Sequence, residues 1–320
     1  MVAHRWRRKA ITGATNRQGD GVTTVGVSVV MAAYNAEPYV ARAIDSVRAQ
    51  TLKDWELIVV DDASEDGTAA KVAAMAEADR RIQLIRCAAN GGPARARNRA
   101  LEVAQGQWIA LLDADDWWEP DRLATLLDYG QRQHLDVVLD DIVLHGPRSG
   151  KQLGCWTDAV PSVRRYLGNV VTLADICGSS LSSFHPVVRR AALAETMVRY
   201  PEIRRSEDFG FLLELAWRGA AIGVYPGALY HYQIRQSGKG EAMYYGIFVT
   251  RRHWIAFMKS HGSDHWTDQE IRRAMASLRQ QAWLGYTMYA LRRALDAVPS
   301  ARLRQAIRNA YEARHPFFKD

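Results

Sequence analysis

Cysteine is scarce in this chain. Cys87, Cys155 and Cys177 are an odd number and lack metal-ligand spacing. That excludes a disulfide framework and points to a reducing compartment. Long apolar runs are missing too: none approaches the roughly 20 residues of a membrane-crossing helix. The N-terminus carries Arg5, Arg7, Arg8 and Lys9, but the polar stretch Thr12 to Thr24 follows where a signal peptide would need an apolar core; no secretory signal is expected. There is neither a G-x-G-x-x-G fingerprint nor a G-x-x-x-x-G-K-[ST] loop. A phosphate would have to be held by some other device.

What is present is a globular composition, 48% hydrophobic and 24% charged, over 320 residues. Such a length buries a full core and leaves room for an appendage. The net charge of +7 is placed unevenly: Glu241 to Asp320 holds thirteen Lys/Arg and seven Asp/Glu, so +6 lies in the last quarter. That surface suits an anionic partner, such as a membrane face, a phosphorylated lipid or a nucleic acid. An ordinary solvated helix face is the plain alternative. The expected organisation is a flexible basic arm (1–24), a main domain (25–240) and a basic helical C-terminal region (241–320).

Strand and helix signals alternate along the main domain. Val25–Ala32, Trp55–Val60, Ile82–Cys87, Trp108–Leu112 and Asp136–Leu144 are apolar and rich in β-branched residues, as buried strands are. Helices are expected after Glu37-Pro38, over Thr68–Asp79, after Asn90-Gly91-Gly92-Pro93, and over Glu119–Gln133. From Gly146 to Phe184 the pattern weakens and supports no element. It resumes with a helix over Phe209–Trp217, with Ser206 as N-cap and Gly219 as stop. Short strands follow near Ala221–Tyr225 and Ala228–Tyr232, then a mobile Arg235–Gly240 loop and a mostly helical remainder. Alternation with short connections predicts an α/β fold around a parallel sheet. Ligands in such sheets bind at the carboxyl ends of the strands. Ala33-Tyr34-Asn35, Asp61-Asp62 and Asp113 to Asp116 all fall there.

The last of these is the most informative. Asp113, Asp115 and Asp116 place three carboxylates within four positions at the end of a buried strand. They repel one another unless a positive group is present. Mg2+ or Mn2+ answers that need, because hard cations take oxygen ligands and share them with substrate phosphates. A solvated acidic turn is the alternative for any one of these residues. Glu207-Asp208, likewise, can simply complement the dipole at a helix start.

Taken together, these segments resemble family 2 glycosyltransferases of the GT-A fold. The match runs through Ala33-Tyr34-Asn35, Asp61-Asp62 with Ser64 and Asp66-Gly67-Thr68, Asn90 and Gly92 with Ala96-Arg97-Asn98, Leu112 to Asp116, Glu207-Asp208-Phe209, and Tyr230-His231-Tyr232 through Ser237. It covers about Val25 to Ser237 and looks most like bacterial exopolysaccharide enzymes, including succinoglycan glycosyltransferases. The resemblance implies a Rossmann-like, mostly parallel sheet with helices on both faces. It implies an inverting, metal-dependent transfer from a nucleotide-diphosphate sugar to a glycan or lipid-linked acceptor. By the same resemblance Ala33, Tyr34 and Asn35 line the nucleotide pocket. Asp62 accepts from the base, as expected for uracil, and Asp61 supports the turn. Arg97 lies near the diphosphate or the acidic cluster. Asp113, Ala114 and Asp115 meet the ribose and the metal, with Asp115, Asp116 and His231 as metal candidates. Asp208 is the general base and Glu207 orients the acceptor. Some members carry Thr or Pro where Ala32 stands, so a side-chain bond to the base is absent at that position.

Trp117 and Trp118 could stack on a sugar or belong to the core; Arg95 and Arg99 read as solvated. The other functional class is a non-catalytic membrane- or nucleic-acid-binding protein built on the basic C-terminal quarter, but no RNA-stacking motif or helix-turn-helix pattern accompanies it, so no nucleic acid is expected. A nucleotidylyltransferase would want a Gly-rich basic loop after the first strand, and Met31 to Pro38 is not one. The expected location is cytoplasmic, peripheral on the inner face of the cell membrane.

Overall fold

The computed structural model describes residues 25–147, 150–203, 206–234, 251–261 and 263–296. The basic arm 1–24, the loop Arg235–Gly240 and the boundary near residue 240 lie outside the described residues.

Four parallel strands form one half of the sheet: β1 (Val27–Ala33), β2 (Trp55–Asp61), β3 (Ile82–Arg86) and β4 (Trp108–Leu111), in the order β3-β2-β1-β4. Their connections are α1 (Val40–Arg48), α2 (Thr68–Ala78) and α3 (Pro93–Val103). β1, β2 and β4 are buried almost throughout, which is why each reads as a continuous apolar run. β1 and β4 approach closely: a Cβ on Gly106, just before β4, would lie 2.2 Å from the Ser28 backbone nitrogen.

Beyond β4 the sheet becomes mixed. β5 (Trp117–Trp118) is followed by α4 (Arg122–Arg132), β6 (Val137–His145), β7 (Gln152–Cys155), α5 (Trp156–Ala159), β8 (Val170–Val171) and α6 (Leu173–Gly178). β9 (Val187–Arg189) lies antiparallel between β4 and β6, and α7 (Arg190–Thr196) follows it. After α8 (Glu207–Trp217), β10 (Ile222–Gln233) runs parallel to β6 and antiparallel to β5 and β8. The stretch expected to be unpatterned therefore holds several short elements, and β9 was not foreseen; runs of two to six residues are too brief to show a period. The two short strands expected at Ala221–Tyr225 and Ala228–Tyr232 are one strand. Register shifts against β6, between Val224 and Ala228 and again before Tyr230, disguise its alternation.

Two helix starts also differ from expectation. α4 begins at Arg122 because Glu119 still pairs with β10, its N–H donating to the Leu229 carbonyl (3.0 Å). Ser206 does precede α8, but it is left-handed (φ 60°) and its side chain makes no capping bond. Gly219, at φ 85°, ends that helix as expected. Arg122, fully buried, forms a two-point ion pair with Asp140 (3.0 and 2.7 Å) and ties α4 to β6 beneath the acidic loop. The C-terminal region is helical where described, over 251–260 and in α9 (Asp268–Asp296). Trp254, Met258, Ala274 and Leu278 share the main hydrophobic core.

Candidate active site

The first part of the site is a cleft at the ends of β1 and β2. It is lined by Ala32, Ala33, Tyr34, Asp62, Asn90, Gly92 and Pro93. The Asp62 N–H donates to the Ala33 carbonyl (2.8 Å), which fixes one loop against the other. Asn35, left-handed at φ 46°, reinforces this: its N–H donates to Ser64 Oγ (3.0 Å) and its Oδ1 accepts from the Glu65 N–H (2.9 Å). The Asp62 carboxylate accepts from the backbone N–H groups of Gly91 (2.9 Å) and Gly92 (2.7 Å). It thereby caps the loop that leads into α3, a structural duty the sequence did not reveal. One lone pair on each oxygen is left for a ligand. Tyr34, 44% exposed, stands at the rim.

The second part is a charged centre around Arg97 of α3, whose side chain is only 5% exposed. One end of the guanidinium donates to Asp113 Oδ1 (2.7 Å). The other reaches Asp208 Oδ1 (2.8 Å) and, more loosely, Glu207 Oε1 (3.4 Å). Residues 97, 113 and 207–208, distant in sequence, thus meet on one cation. Burial opposes the Arg97 charge, but Asp208 and Asp113 outweigh it and hold the guanidinium firmly protonated. Burial likewise opposes ionisation of Asp113; Arg97 and then His185 overcome it and keep the carboxyl well below its usual range. Glu207 goes the other way, its carboxyl raised by burial and then by the charge of Asp208.

The third part is the acidic loop after β4. Asp116 is fully buried. Its oxygens accept from the Tyr230 hydroxyl (2.8 Å) and the Gln233 N–H (2.8 Å). The same Tyr230 oxygen accepts from the Asp113 N–H (3.2 Å), so one phenol spans the loop. Burial, then Asp115 and Asp113, push the Asp116 carboxyl well above the carboxylate range. Ala114 is buried between these groups and Asp115 is half-buried. The Asp115 carbonyl accepts from Arg42 Nη2 (2.8 Å).

Oxygen donors under mutual repulsion fit a hard divalent cation. The ligand atoms that converge within 4.8 Å belong to Asp113, Asp116 and His185; Asp115 is not among them. His185 Nε2 lies 3.2 Å from Asp113 Oδ2, while its Nδ1 is buried without a hydrogen-bond partner. A metal-bound histidine ordinarily donates its second ring N–H to an acceptor. His185 Nε2 faces both the Asp113 carboxylate and the point where the three ligand atoms converge.

His231, expected as a metal or diphosphate ligand, is not brought to this group. Its Nε2 contacts Glu119 Oε1 (2.8 Å) and its Nδ1 contacts His145 Nε2 (2.9 Å). The tryptophans are not sugar platforms either. Trp117 has Arg42 over its ring (3.6 Å to the centroid) and is stacked with His231 (5.1 Å); Trp118 is buried against Arg122 (4.6 Å). Sequence reasoning missed His185, Tyr230, Gln233 and Arg42. Tyr230 stood inside a segment already singled out, whereas His185 borders the unpatterned stretch and gave no signal.

This arrangement, a cleft at the strand ends with an acidic loop and a second carboxylate pair joined through Arg97, stands on a fold of the GT-A class. The sequence model of glycosyl transferase family 2 matches residues 28–172. An uncharacterized glycosyltransferase of Haemophilus influenzae is 31% identical over 189 residues, 59% of this chain and 70% of that protein. The succinoglycan biosynthesis protein ExoO of Rhizobium meliloti is 33% identical over 218 residues, 66% of this chain and 61% of ExoO. The chain belongs to glycosyl transferase family 2. It spans less than two thirds of the length of ExoO. Among solved structures, S. aureus TarS in complex with UDP-GlcNAc superposes with a TM-score of 0.65 at 21% identity, over 81% of this chain and 72% of that one. The mannosyltransferase PcManGT of Pyrobaculum calidifontis, in complex with GDP-Man and Mn2+, gives 0.59 at 18% identity, over 91% and 81%. At such identities the likeness establishes the fold.

Removing the central cation tests the electrostatics. Arg97→Met leaves three carboxylates without their partner and should cost about 3–5 kcal/mol at pH 7. Asp113 is held low in the folded state, so its contribution is present above the unfolded value of about 4 and is lost as pH falls through the folded one. Urea unfolding should therefore show the gap between parent and variant narrowing below about pH 4. A gap of constant size would contradict this electrostatic role.

Proposed function

We propose that the protein transfers a glycosyl group from a nucleotide-diphosphate sugar, with uridine as the nucleoside, to a hydroxyl of a glycan or lipid-linked saccharide in polysaccharide synthesis. The observation that carries this reading is the Arg97 bridge, which sets Asp208 beside a donor site built from β1, β2 and the acidic loop. Support comes from ExoO, a succinoglycan biosynthesis protein, and from the UDP-GlcNAc bound by TarS.

The reaction is a single inverting displacement. The acceptor oxygen bonds to the anomeric carbon as the bond to the diphosphate breaks, and the hydroxyl proton passes to Asp208. Asp208 suits that role better than Glu207, because its side chain is 33% exposed against 12%. Glu207, with its raised carboxyl, suits an acceptor-orienting hydrogen bond. Ala33, Tyr34, Asn35 and Asp62 would hold the nucleotide. Asp115, with Asp113 and Asp116, would hold Mn2+ or Mg2+, an ion that neutralises charge on the leaving diphosphate; Mn2+ in PcManGT supports this. The non-catalytic alternative has no support among the family matches.

The C-terminal helices add a peripheral membrane contact to the proposal. Arg252, Lys259, Arg272, Arg273 and Arg279 are exposed, as is Trp283 at 67%, a combination suited to an anionic leaflet bearing a lipid-linked acceptor. Among the described residues no helix is long and apolar enough to cross a membrane.

Two measurements check these readings. Asp208→Asn keeps the shape of the side chain but cannot take the proton, so transfer should fall by at least about 100-fold while donor binding persists. Glu207→Gln should cost much less; the reverse ranking would move the base by one residue, and parental rates in both variants would remove it from this segment. For the membrane contact, the protein should sediment with anionic vesicles at low salt, not with neutral ones, and release in high salt. Failure to pellet at low salt would leave the charge as plain solvated surface.

A further inference from the structure

Asn98 follows Arg97 on α3, and nothing in the chemistry above uses it. Consecutive helix positions point about 100° apart. While Arg97 faces the carboxylates, the Asn98 amide faces the backbone of Tyr200. Its Nδ2 donates to the Tyr200 carbonyl (2.9 Å) and its Oδ1 accepts from the Tyr200 N–H (2.8 Å). Tyr200 is buried and lies outside helix and strand, so its backbone groups need such partners. One side chain satisfies both, as an adjacent strand would.

Tyr200 is in turn joined to α8, the helix that carries Asp208. Its ring stacks on Phe211 (4.2 Å between centroids, 3° between planes), and the Arg97 guanidinium lies 5.1 Å from the same ring. Pro201 sits against Gly210 so closely that a Cβ there would meet Pro201 Cγ at 2.6 Å. The start of α8 has no capping side chain, and Ser206 before it is left-handed. Beyond the acidic first turn, contacts with Tyr200–Pro201 and Arg97 hold the start of α8 in place.

We infer that Asn98 is a positioning residue for glycosyl transfer: by clamping the Tyr200 backbone it sets Asp208 at its working distance from the donor site. The inference rests on Asp208 being the base. Displacing a catalytic group by about 1 Å can cost about 100-fold in rate. The nucleotide cleft, built from β1, β2 and the loop before α3, does not touch Tyr200.

The test is steady-state transfer, with UDP binding in Mn2+ and melting temperature measured on the same preparations. Asn98→Leu keeps the bulk and loses both bonds. It should lower kcat about 10- to 100-fold with UDP affinity within about twofold of the parent. Gly210→Ala presses on Pro201 Cγ (2.6 Å) and on Trp254 (3.0 Å) with Asn98 intact, and should show the same split should Asn98→Leu fail to fold. A parental kcat in Asn98→Leu, or in Gly210→Ala if that is the variant that folds, overturns the inference when Asp208→Asn is inactive. So does a parallel loss of UDP affinity, the mark of a merely structural residue. Parental transfer by Asp208→Asn overturns the base assignment itself, and the inference with it.

Discussion

One buried guanidinium organises the candidate site of this protein. Arg97 is charged in a place where burial alone would discourage charge, and it stays so because carboxylates reach it from both sides. The arrangement works only as a set. Without Arg97, Asp113, Glu207 and Asp208 would crowd together with no counter-charge; without them, an almost fully covered cation would stand alone. A buried pair of this kind is costly to break from either side. That mutual dependence brings the loop after β4, the middle of α3 and the start of α8 to one place, although 16 and 111 residues separate the partners.

The acidic loop follows a similar logic with different partners. Asp116 is bound into the fold by Tyr230 and Gln233 of β10 and is pushed towards its protonated form by burial and then by Asp115 and Asp113. Asp113 is held ionised by Arg97 and His185. Two carboxylates three residues apart are thus driven in opposite directions by their surroundings. A divalent cation, as proposed above, would relieve the repulsion within the loop.

Much of this was legible in the sequence. The buried strands of the parallel half announced themselves as apolar runs, and Tyr34 and Asp62, at the carboxyl ends of two of them, line one cleft. What could not be read were features made by pairing at a distance. β9 is three residues long and exists because β4 and β6 flank it. The bulges in β10 conceal its continuity. His231 was a ligand candidate by family resemblance alone, and its two ring nitrogens are taken by Glu119 and His145, neither of which its own segment specifies. His185 and Asn98 have roles that appear only once the strands and helices are assembled. Local chemistry was visible; the partners that decide its use were not.

The central claim is that the loop from Asp113 to Asp116 binds a nucleotide diphosphate through a divalent cation. Calorimetric titration of the protein with UDP, in Mn2+ and in EDTA, tests it most directly. The account predicts binding in Mn2+, little in EDTA, and loss of the Mn2+-dependent part in Asp115→Asn, a variant that should stay folded because it relieves like-charge repulsion. Equal UDP affinity in Mn2+ and EDTA, or an Asp115→Asn variant that binds as the parent does, would contradict it.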